Sequence, residues 1–257
     1  MKAYALALLL ALAPACAFAG DGNQFVKGAP VALKADTAYL LLRMSAAKDN
    51  FPVDVVFVRV LSPEELQAAV ERHKSNPDAK EEPNVASVWF RDPYAETDGR
   101  DVYLMSVKPG TYILAGPAFG APHGFLYDDK FGGRMGTCLC LGTVKFDARP
   151  GIVTDLGMIL SARADKPIAA PELAGYERNI DSSEIYLAMT VRPASADMPL
   201  PDALKPLPRA DADYRAMGPF PNYFGTAIDR LAPVPGVLDY DKDGHVVDLK
   251  AAAKSAK

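Results

Sequence analysis

The chain has 257 residues and a formal net charge of −4 at pH 7, and 49% of its residues are hydrophobic. This length can bury a sizeable core, either in one large β domain or in one domain with an appended region. Positive and negative residues are interspersed, without a basic patch or a stripe of basic and aromatic residues, so the composition argues against nucleic acid as a partner.

The first twenty residues, MKAYALALLLALAPACAFAG, are typical of a secretory signal peptide. A charged start at Lys2 is followed by a short apolar run and by small residues. The pattern predicts removal of residues 1–19 and export of a protein that begins at Gly20, to a periplasm or cell envelope or into the medium. The alternative is lipidation of Cys16, which would anchor a lipoprotein. No later segment is apolar for long enough to cross a membrane, so we expect no transmembrane span in the mature chain.

Residues 20–160 are predicted to form a β domain that contains one helix. The stretches 31–44 and 53–60 are rich in β-branched and large apolar residues and predict strands. The segment SPEELQAAVERHKS predicts a helix over about residues 63–74. Its serine is a good N-cap, and the glutamate three residues later completes a capping box.

Pro-Gly dipeptides interrupt the apolar stretches at three places. They are Pro109 and Gly110, Pro150 and Gly151, and Pro235 and Gly236. Proline fixes φ and glycine permits positive φ, so the pair is typical of tight turns between strands. Because parallel strands need a crossover of about a dozen residues or more, such turns favour antiparallel pairing of their arms. The predicted fold is therefore a mainly β, antiparallel β-sandwich with one short helix.

After residue 160 the composition changes. A polar connector leads to one more predicted strand, 184–191, and then to the proline-dense segment RPASADMPLPDALKPLPRADAD. Such a segment has too little apolar periodicity to form its own core. We therefore expect residues 161–257 to add one or more strands and a proline-rich C-terminal extension that wraps the same body.

The middle of the chain carries the motifs SVKPGTYILAG and, further on, VKFDARPGIVTDLGMI. Over about residues 30–160 it resembles uncharacterised exported bacterial β-sandwich domains, with turn motifs shared by transthyretin-like sandwiches. Where that pattern has a further tyrosine, this chain has Asp155. The resemblance implies a sandwich fold and brings no activity with it. The matching residues are Pro109, Gly110, Tyr112, Phe146, Ala148 and Gly151.

Cys138 and Cys140 are the only cysteines outside the signal-like segment, and in a strand they would point to the same face. One interpretation is a pair of small buried apolar side chains. The second is a disulfide, which needs a local kink because extended residues two apart approach the upper Cα distance of roughly 6.8 Å. The third is a Cu(I) site completed by Met135, with His123 or Met158 as further ligands.

The segment DYDKDGHVVDLK has the start of a calcium-binding loop. Asp239, Asp241 and Asp243 occupy the first three ligand positions, and a glycine comes next, where the loop turns sharply. The later positions hold Val247 and Lys250, where ligands are required. The alternative is a hairpin in which the Asp-Gly turn joins GVLDY to HVVDL.

Residues 116–136, rich in glycine and aromatics, form the candidate binding loop. Its aromatic rings lie beside a titratable group in sequence, and FPNYFG at residues 220–225 offers more aromatic surface. The candidate binding residues are Phe119, His123, Phe125 and Tyr127.

The sets of residues that catalysis requires are incomplete. No serine has a nucleophile-elbow context and no histidine pair has metal-ligand spacing. His73 lies among charges on the predicted helix, and the adjacent Asp128 and Asp129 fit a loop surface better than a catalytic dyad. We therefore expect a non-catalytic binding or structural module without a cofactor, whose partner is an envelope protein or a glycan. A protein that handles copper or calcium is the first alternative, and a hydrolase is the second.

Overall fold

The computed structural model describes residues 23–25, 27–45, 53–75, 85–88, 93–120, 134–162, 170–173, 188–221 and 227–255. The strands, in chain order, are β1 (Asn23–Gln24), β2 (Ala38–Ser45), β3 (Val53–Arg59), β4 (Val85–Val88), β5 (Ala95–Thr97), β6 (Arg100–Val107), β7 (Gly110–Gly120), β8 (Arg134–Cys138), β9 (Thr143–Ala148), β10 (Val153–Ala162), β11 (Ala188–Arg192), β12 (Arg209–Asp211), β13 (Arg215–Met217), β14 (Ala227–Ile228), β15 (Leu238–Tyr240) and β16 (Val246–Asp248). The helices are α1 (Pro63–Ser75) and α2 (Leu249–Ser255), with 3₁₀ turns at Pro171–Leu173 and Asp202–Leu204. Among these residues, no helix combines the length and the apolar character that a membrane span requires.

Two sheets of seven strands each form the body of the protein. Sheet A has the order β1-β6-β2-β10-β11, with β5 beside β6 and β12 beside β10. Sheet B has the order β13-β9-β7-β3-β4, with β8 beside β7 and β14 beside β8. Most pairs are antiparallel, whereas β10 runs parallel to β2 and to β12, and β14 runs parallel to β8. The predicted mainly β sandwich is confirmed.

The main core lies between the two sheets, because alternate residues of each strand point inward. In β2, Leu40 and Leu42 belong to this core, while Tyr39 and Leu41 face the other side of sheet A. Sheet B contributes from β3, β7 and β9. Its large core side chains are Phe57, Tyr112, Leu114 and Phe146.

The proline-rich extension covers the outer face of sheet A. We call residues 198–208 the wrap. Its Leu200, Leu204 and Leu207 pack against Tyr39 and Leu41. On either side of the wrap, the chain adds β11 and β12 to the edge of β10. The extension therefore builds part of one sheet and buries that sheet's outer surface.

A buried ion pair lies under the wrap. The guanidinium of Arg43 on β2 donates to both carboxylate oxygens of Asp155 on β10, at 2.7 and 3.1 Å. Their exposed fractions are only 1% and 2%. Arg43 Nε also donates to the carbonyl oxygen of Pro199 in the wrap at 2.8 Å, and the N–H of Gly157 donates to Asp155 at 2.9 Å. The pair thus ties two parallel strands to the segment that covers them.

Two of the three Pro-Gly bends do not join paired strands, contrary to the expectation from their arms. The bend at Pro109 connects β6 of sheet A to β7 of sheet B, and the bend at Pro150 connects β9 of sheet B to β10 of sheet A. The first bend turns at Gly110, with a φ of 149°, and the hydroxyl of Tyr112 donates to the Lys108 carbonyl oxygen at 2.7 Å across it. The dipeptide sets a sharp change of chain direction, but it does not determine which strand pairs with the strand that follows the bend.

The third Pro-Gly bend is a tight turn of the expected kind. Val234 and Leu238 form an antiparallel bridge across it, and the N–H of Leu238 donates to the carbonyl oxygen of Val234 at 2.9 Å. The chain then enters the β15–β16 hairpin. Here β15 begins directly after the turn, so the residues on the two sides of the turn pair with each other.

The predicted helix and its capping box are present. The N–H of Glu65 donates to Ser62 Oγ at 3.2 Å, and the N–H of Ser62 donates to Glu65 Oε2 at 2.9 Å. Glu65 also pairs with Arg59 of β3 at 2.8 Å. Leu66 and Val70 are half-buried on one face, as the spacing predicts.

Candidate functional site

The cysteine turn, residues 138–142, connects two strands that pair with the same edge of β7. β8 pairs with β7 at residues 118–120, and β9 pairs with it at residues 110–113. Between these ladders the turn and the first residue of β9 supply the missing donors. The N–H of Leu139 donates to the Ala115 carbonyl oxygen at 2.8 Å, and Thr143 Oγ1 donates to that of Leu114 at 2.7 Å. The turn is therefore an interruption of one continuous sheet edge.

A disulfide joins Cys138 and Cys140 across this interruption, with their Cα atoms 5.1 Å apart. This distance is shorter than in an extended strand, so the structure contains the kink that a disulfide requires. Leu139 points into the main core, while both cysteines are buried on the outer face of sheet B beneath Met217 and Phe220. The pair is thus both a disulfide and part of an apolar cluster.

The cysteine turn packs directly on the backbone of β7. A Cβ on Gly116 would collide with the Thr137 carbonyl oxygen, and Gly116 has a φ of 148°. Only glycine meets both conditions at low cost. The disulfide and this close approach together fix the end of β8 against β7.

The copper interpretation needs the reduced pair, because a disulfide offers no thiolate. Met158 packs in a different cluster, on β10 with Leu160 and Leu173, and so does not join the cysteines. The side chain of Met135 and all of His123 lie outside what the structure describes.

The Asp-Gly segment forms the hairpin between β15 and β16. Asp241 Oδ1 accepts hydrogen bonds from the N–H groups of Asp243 and His245, both at 2.9 Å. Its Oδ2 lies 3.1 Å from His245 Nδ1. The backbone hydrogen bond from His245 is the largest cause that lowers the pKa of Asp241. The hairpin interpretation of this segment is confirmed.

One group of metal-ligating atoms lies in that hairpin. Carboxylate oxygens of Asp241 and Asp243 and a ring nitrogen of His245 lie within 4.8 Å of one another, and all three residues are exposed. Asp239, the first predicted calcium ligand, does not belong to this group. Its Oδ1 accepts a hydrogen bond from the N–H of Tyr240 at 2.8 Å instead. The structure therefore gathers two of the three predicted ligands and adds a histidine.

The candidate binding loop lies mostly outside the described residues. His123, Phe125 and Tyr127 fall there, as do Asp128 and Asp129. Phe119 lies on β7, where it is opposite Val53 of β3 and Met135 of β8; nothing is described of its side chain. The two ends of the loop are therefore held by strand pairing.

The second aromatic segment differs from the expectation where it is described. Phe220 is 8% exposed and packs over the disulfide, so it does not present its ring to a partner. Pro221 is exposed, and residues 222–225 lie outside the described part of the chain. Near the same edge, Leu141 and Ile228 are exposed to 38% and 48%.

A polar cleft of about 210 Å³ opens beside the β9–β13 ladder. Its charged groups come from β9, from β13 and from Asp213 just before β13, which meet only in the folded protein, so no local motif marks the cleft in the sequence. Lys250 of α2 reaches one of them, Asp213, at 2.7 Å. That hydrogen bond is the largest cause that lowers the pKa of Asp213. The lining residues are Thr111, Lys145, Phe146, Asp147, Asp213 and Arg215.

A scan against models of protein families, a search of curated proteins and a search of solved structures each found no match for this chain. The chemistry of the described residues is therefore the basis for a function. These residues form a disulfide at the end of β8, below the candidate binding loop, an exposed Asp-Asp-His group and a polar cleft.

The disulfide gives a prediction for stability. We expect reduction of the wild-type protein to lower its free energy of unfolding by roughly 1.6 kcal/mol, because the loop that the bond closes is very short. Urea unfolding with and without reductant measures this change. The Cys138→Ala, Cys140→Ala variant is the control and should not respond to reductant. Two thiols that react with a labelling reagent in unfolded protein purified without reductant would contradict the disulfide.

Proposed function

We propose that the protein is an exported, non-catalytic binding or structural module of the cell envelope, and that it contacts an envelope protein or a glycan through residues 116–136. The observation that carries the proposal is the β7–β8 strand pair at the base of that loop, together with the Cys138–Cys140 disulfide at the end of β8. It supports both parts of the proposal, the export and the binding surface.

The base of the loop is held by strand pairing on both sides. Ala118 of β7 is opposite Gly136 of β8, and Gly120 is opposite Arg134. β7 also pairs with β3 along its other edge. Loops that bind partners are characteristically carried by such a scaffold, because fixed ends limit the conformations of the residues between them.

The sequence of the loop suits recognition by contact rather than by reaction. Phe125 and Tyr127 supply aromatic side chains, which bury much surface for little loss of conformational entropy. Glycines around them allow the backbone to adapt to a partner. An aromatic surface of this kind suits either a protein or a glycan.

The disulfide supports export. Disulfides persist in oxidising compartments such as the periplasm and are rare in the cytosol. The signal-like segment at residues 1–19 supports the same location independently. Both observations agree although they come from distant parts of the chain.

Export with removal of residues 1–19 predicts that the mature protein begins at Gly20. Mass spectrometry of protein purified from the envelope fraction should find a chain that begins at Gly20. A variant that lacks residues 2–19 is the control, and it should remain in the cytosol with Cys138 and Cys140 reduced. A mature chain that begins with a diacylglyceryl-modified Cys16 would contradict the predicted cleavage site, and a full-length cytosolic chain would contradict export.

If the loop contacts the partner, removal of its aromatic side chains should weaken binding. Partners are captured from envelope extract with the wild type, identified and purified, and their affinities are then measured. We expect Phe125→Ala, Tyr127→Ala to weaken binding by about thirtyfold, because truncation of an aromatic anchor costs about 2 kcal/mol or more. Ile228→Ala, which removes an exposed apolar side chain outside the loop, is the matched control. Equal affinity of the wild type and the loop variant, both folded by urea unfolding, removes the loop from the proposal.

A further inference from the structure

We propose that the polar cleft on sheet B binds a free α-amino acid, with the ligand's carboxylate at Lys145 and Arg215 and its ammonium group at Asp147. This site is separate from the loop of the proposed function. Thr111 is the residue of β7 that lines the cleft, and β7 ends at Gly120, so the cleft and the end of the strand are about 30 Å apart along β7.

The first observation is a pair of like charges. Lys145 of β9 and Arg215 of β13 are directly opposite in the ladder, so their side chains lie on the same face. Like charges in this arrangement destabilise a sheet. Asp213 approaches Arg215 at 3.4 Å, but its other oxygen is bound by Lys250 at 2.7 Å. One carboxylate is therefore shared by two cations.

The ammonium group of Lys145 is available to bind a ligand. In the part of the chain that the structure describes, its ammonium group has no ion-pair partner, and it faces the cleft. Three cations, from Lys145, Arg215 and Lys250, stand against the two carboxylates of Asp147 and Asp213. A bound carboxylate would relieve the repulsion between Lys145 and Arg215.

The second observation is a carboxylate held in position. The hydroxyl of Thr111 donates to Asp147 Oδ1 at 2.6 Å. Asp147 Oδ2 accepts no hydrogen bond from any described residue. Lys145 and Asp147 are two residues apart on β9 and so point to the same side, yet they do not form an ion pair with each other.

These two observations select the ligand's chemistry. A simple anion would meet the free oxygen of Asp147, and a simple cation would meet Lys145 and Arg215. A ligand with both charges close together satisfies both groups. In a free amino acid the ammonium and carboxylate groups share one carbon, whereas in a peptide they lie at opposite ends.

The size of the cleft agrees with a small ligand. Its volume of about 210 Å³ lies below the roughly 300–1,000 Å³ of sites for larger organic ligands. The charged groups recognise the part that all amino acids share, and the cleft is open to solvent. We therefore expect binding of several amino acids with little discrimination among side chains.

Calorimetry and NMR titration of the mature protein with glycine, alanine and glutamate test the proposal. Binding should weaken by about tenfold or more for N-acetylglycine, which lacks the ammonium charge, and for glycinamide, which lacks the carboxylate. Lys145→Met and Asp147→Asn should each weaken glycine binding by a similar factor. Lys205→Met, an exposed lysine on the wrap, is the matched control and should bind as the wild type does.

Several outcomes would overturn the proposal. No binding of any of the three amino acids at millimolar concentration removes the site. Equal binding of N-acetylglycine makes it a plain anion site, and equal binding of glycinamide makes it a cation site. NMR spectra of the two variants show whether each is folded, so unchanged affinity in a folded Lys145→Met variant also contradicts the assignment. None of these outcomes depends on the loop at residues 116–136.

Discussion

The ion pair of Arg43 and Asp155 is the interaction on which the arrangement of sheet A and the C-terminal segment depends. A charge buried this completely needs its partner, because either group alone would lose water without compensation. The pair joins β2 to β10 and extends through Pro199 to the wrap. Removal of the wrap would expose the pair to water along with the apolar face around it. The proline-rich segment, which has no core of its own, is therefore fixed to the body at both ends and along its length. Arg43 donates to the Pro199 carbonyl oxygen, the N–H of Val153 donates to the Pro208 carbonyl oxygen at 3.0 Å, and a row of leucines packs between them.

The position of the wrap determines the course of the chain beyond residue 208. It delivers β12 to the edge of β10, and the hydroxyl of Tyr214 then donates to the Leu156 carbonyl oxygen at 2.8 Å. From that buried tyrosine the chain crosses to sheet B as β13, which brings Arg215 opposite Lys145, and Phe220 then covers the disulfide. The polar cleft and the cluster around the disulfide therefore both receive residues from a segment whose course is fixed on the other sheet.

Local rules predicted local structure well. The capping box of Ser62 and Glu65 and the Asp-Gly hairpin are present because each is stabilised by residues within a few positions of one another. The pairing expected at the Pro109 bend was wrong, since a turn's chemistry sets its direction while partners far away in sequence decide the pairing. Alternation placed Cys138 and Cys140 on one face but did not specify the kink between them. The cleft could not be predicted, because its charges meet only through the β9–β13 ladder.

A double-mutant cycle on the ion pair tests the central claim most directly. Urea unfolding would compare the wild type with Arg43→Met, Asp155→Leu and the double variant. Each single variant should lose about 3–5 kcal/mol, because Asp155→Leu leaves the buried Arg43 without a carboxylate and Arg43→Met leaves Asp155 with only the more distant Arg209, at 3.7 Å. The double variant should lose much less than the sum. The exposed pair of Lys205 and Asp202 on the wrap is the control and should show no measurable coupling. Losses that simply add, or an Arg43→Met variant as stable as the wild type, would contradict the account.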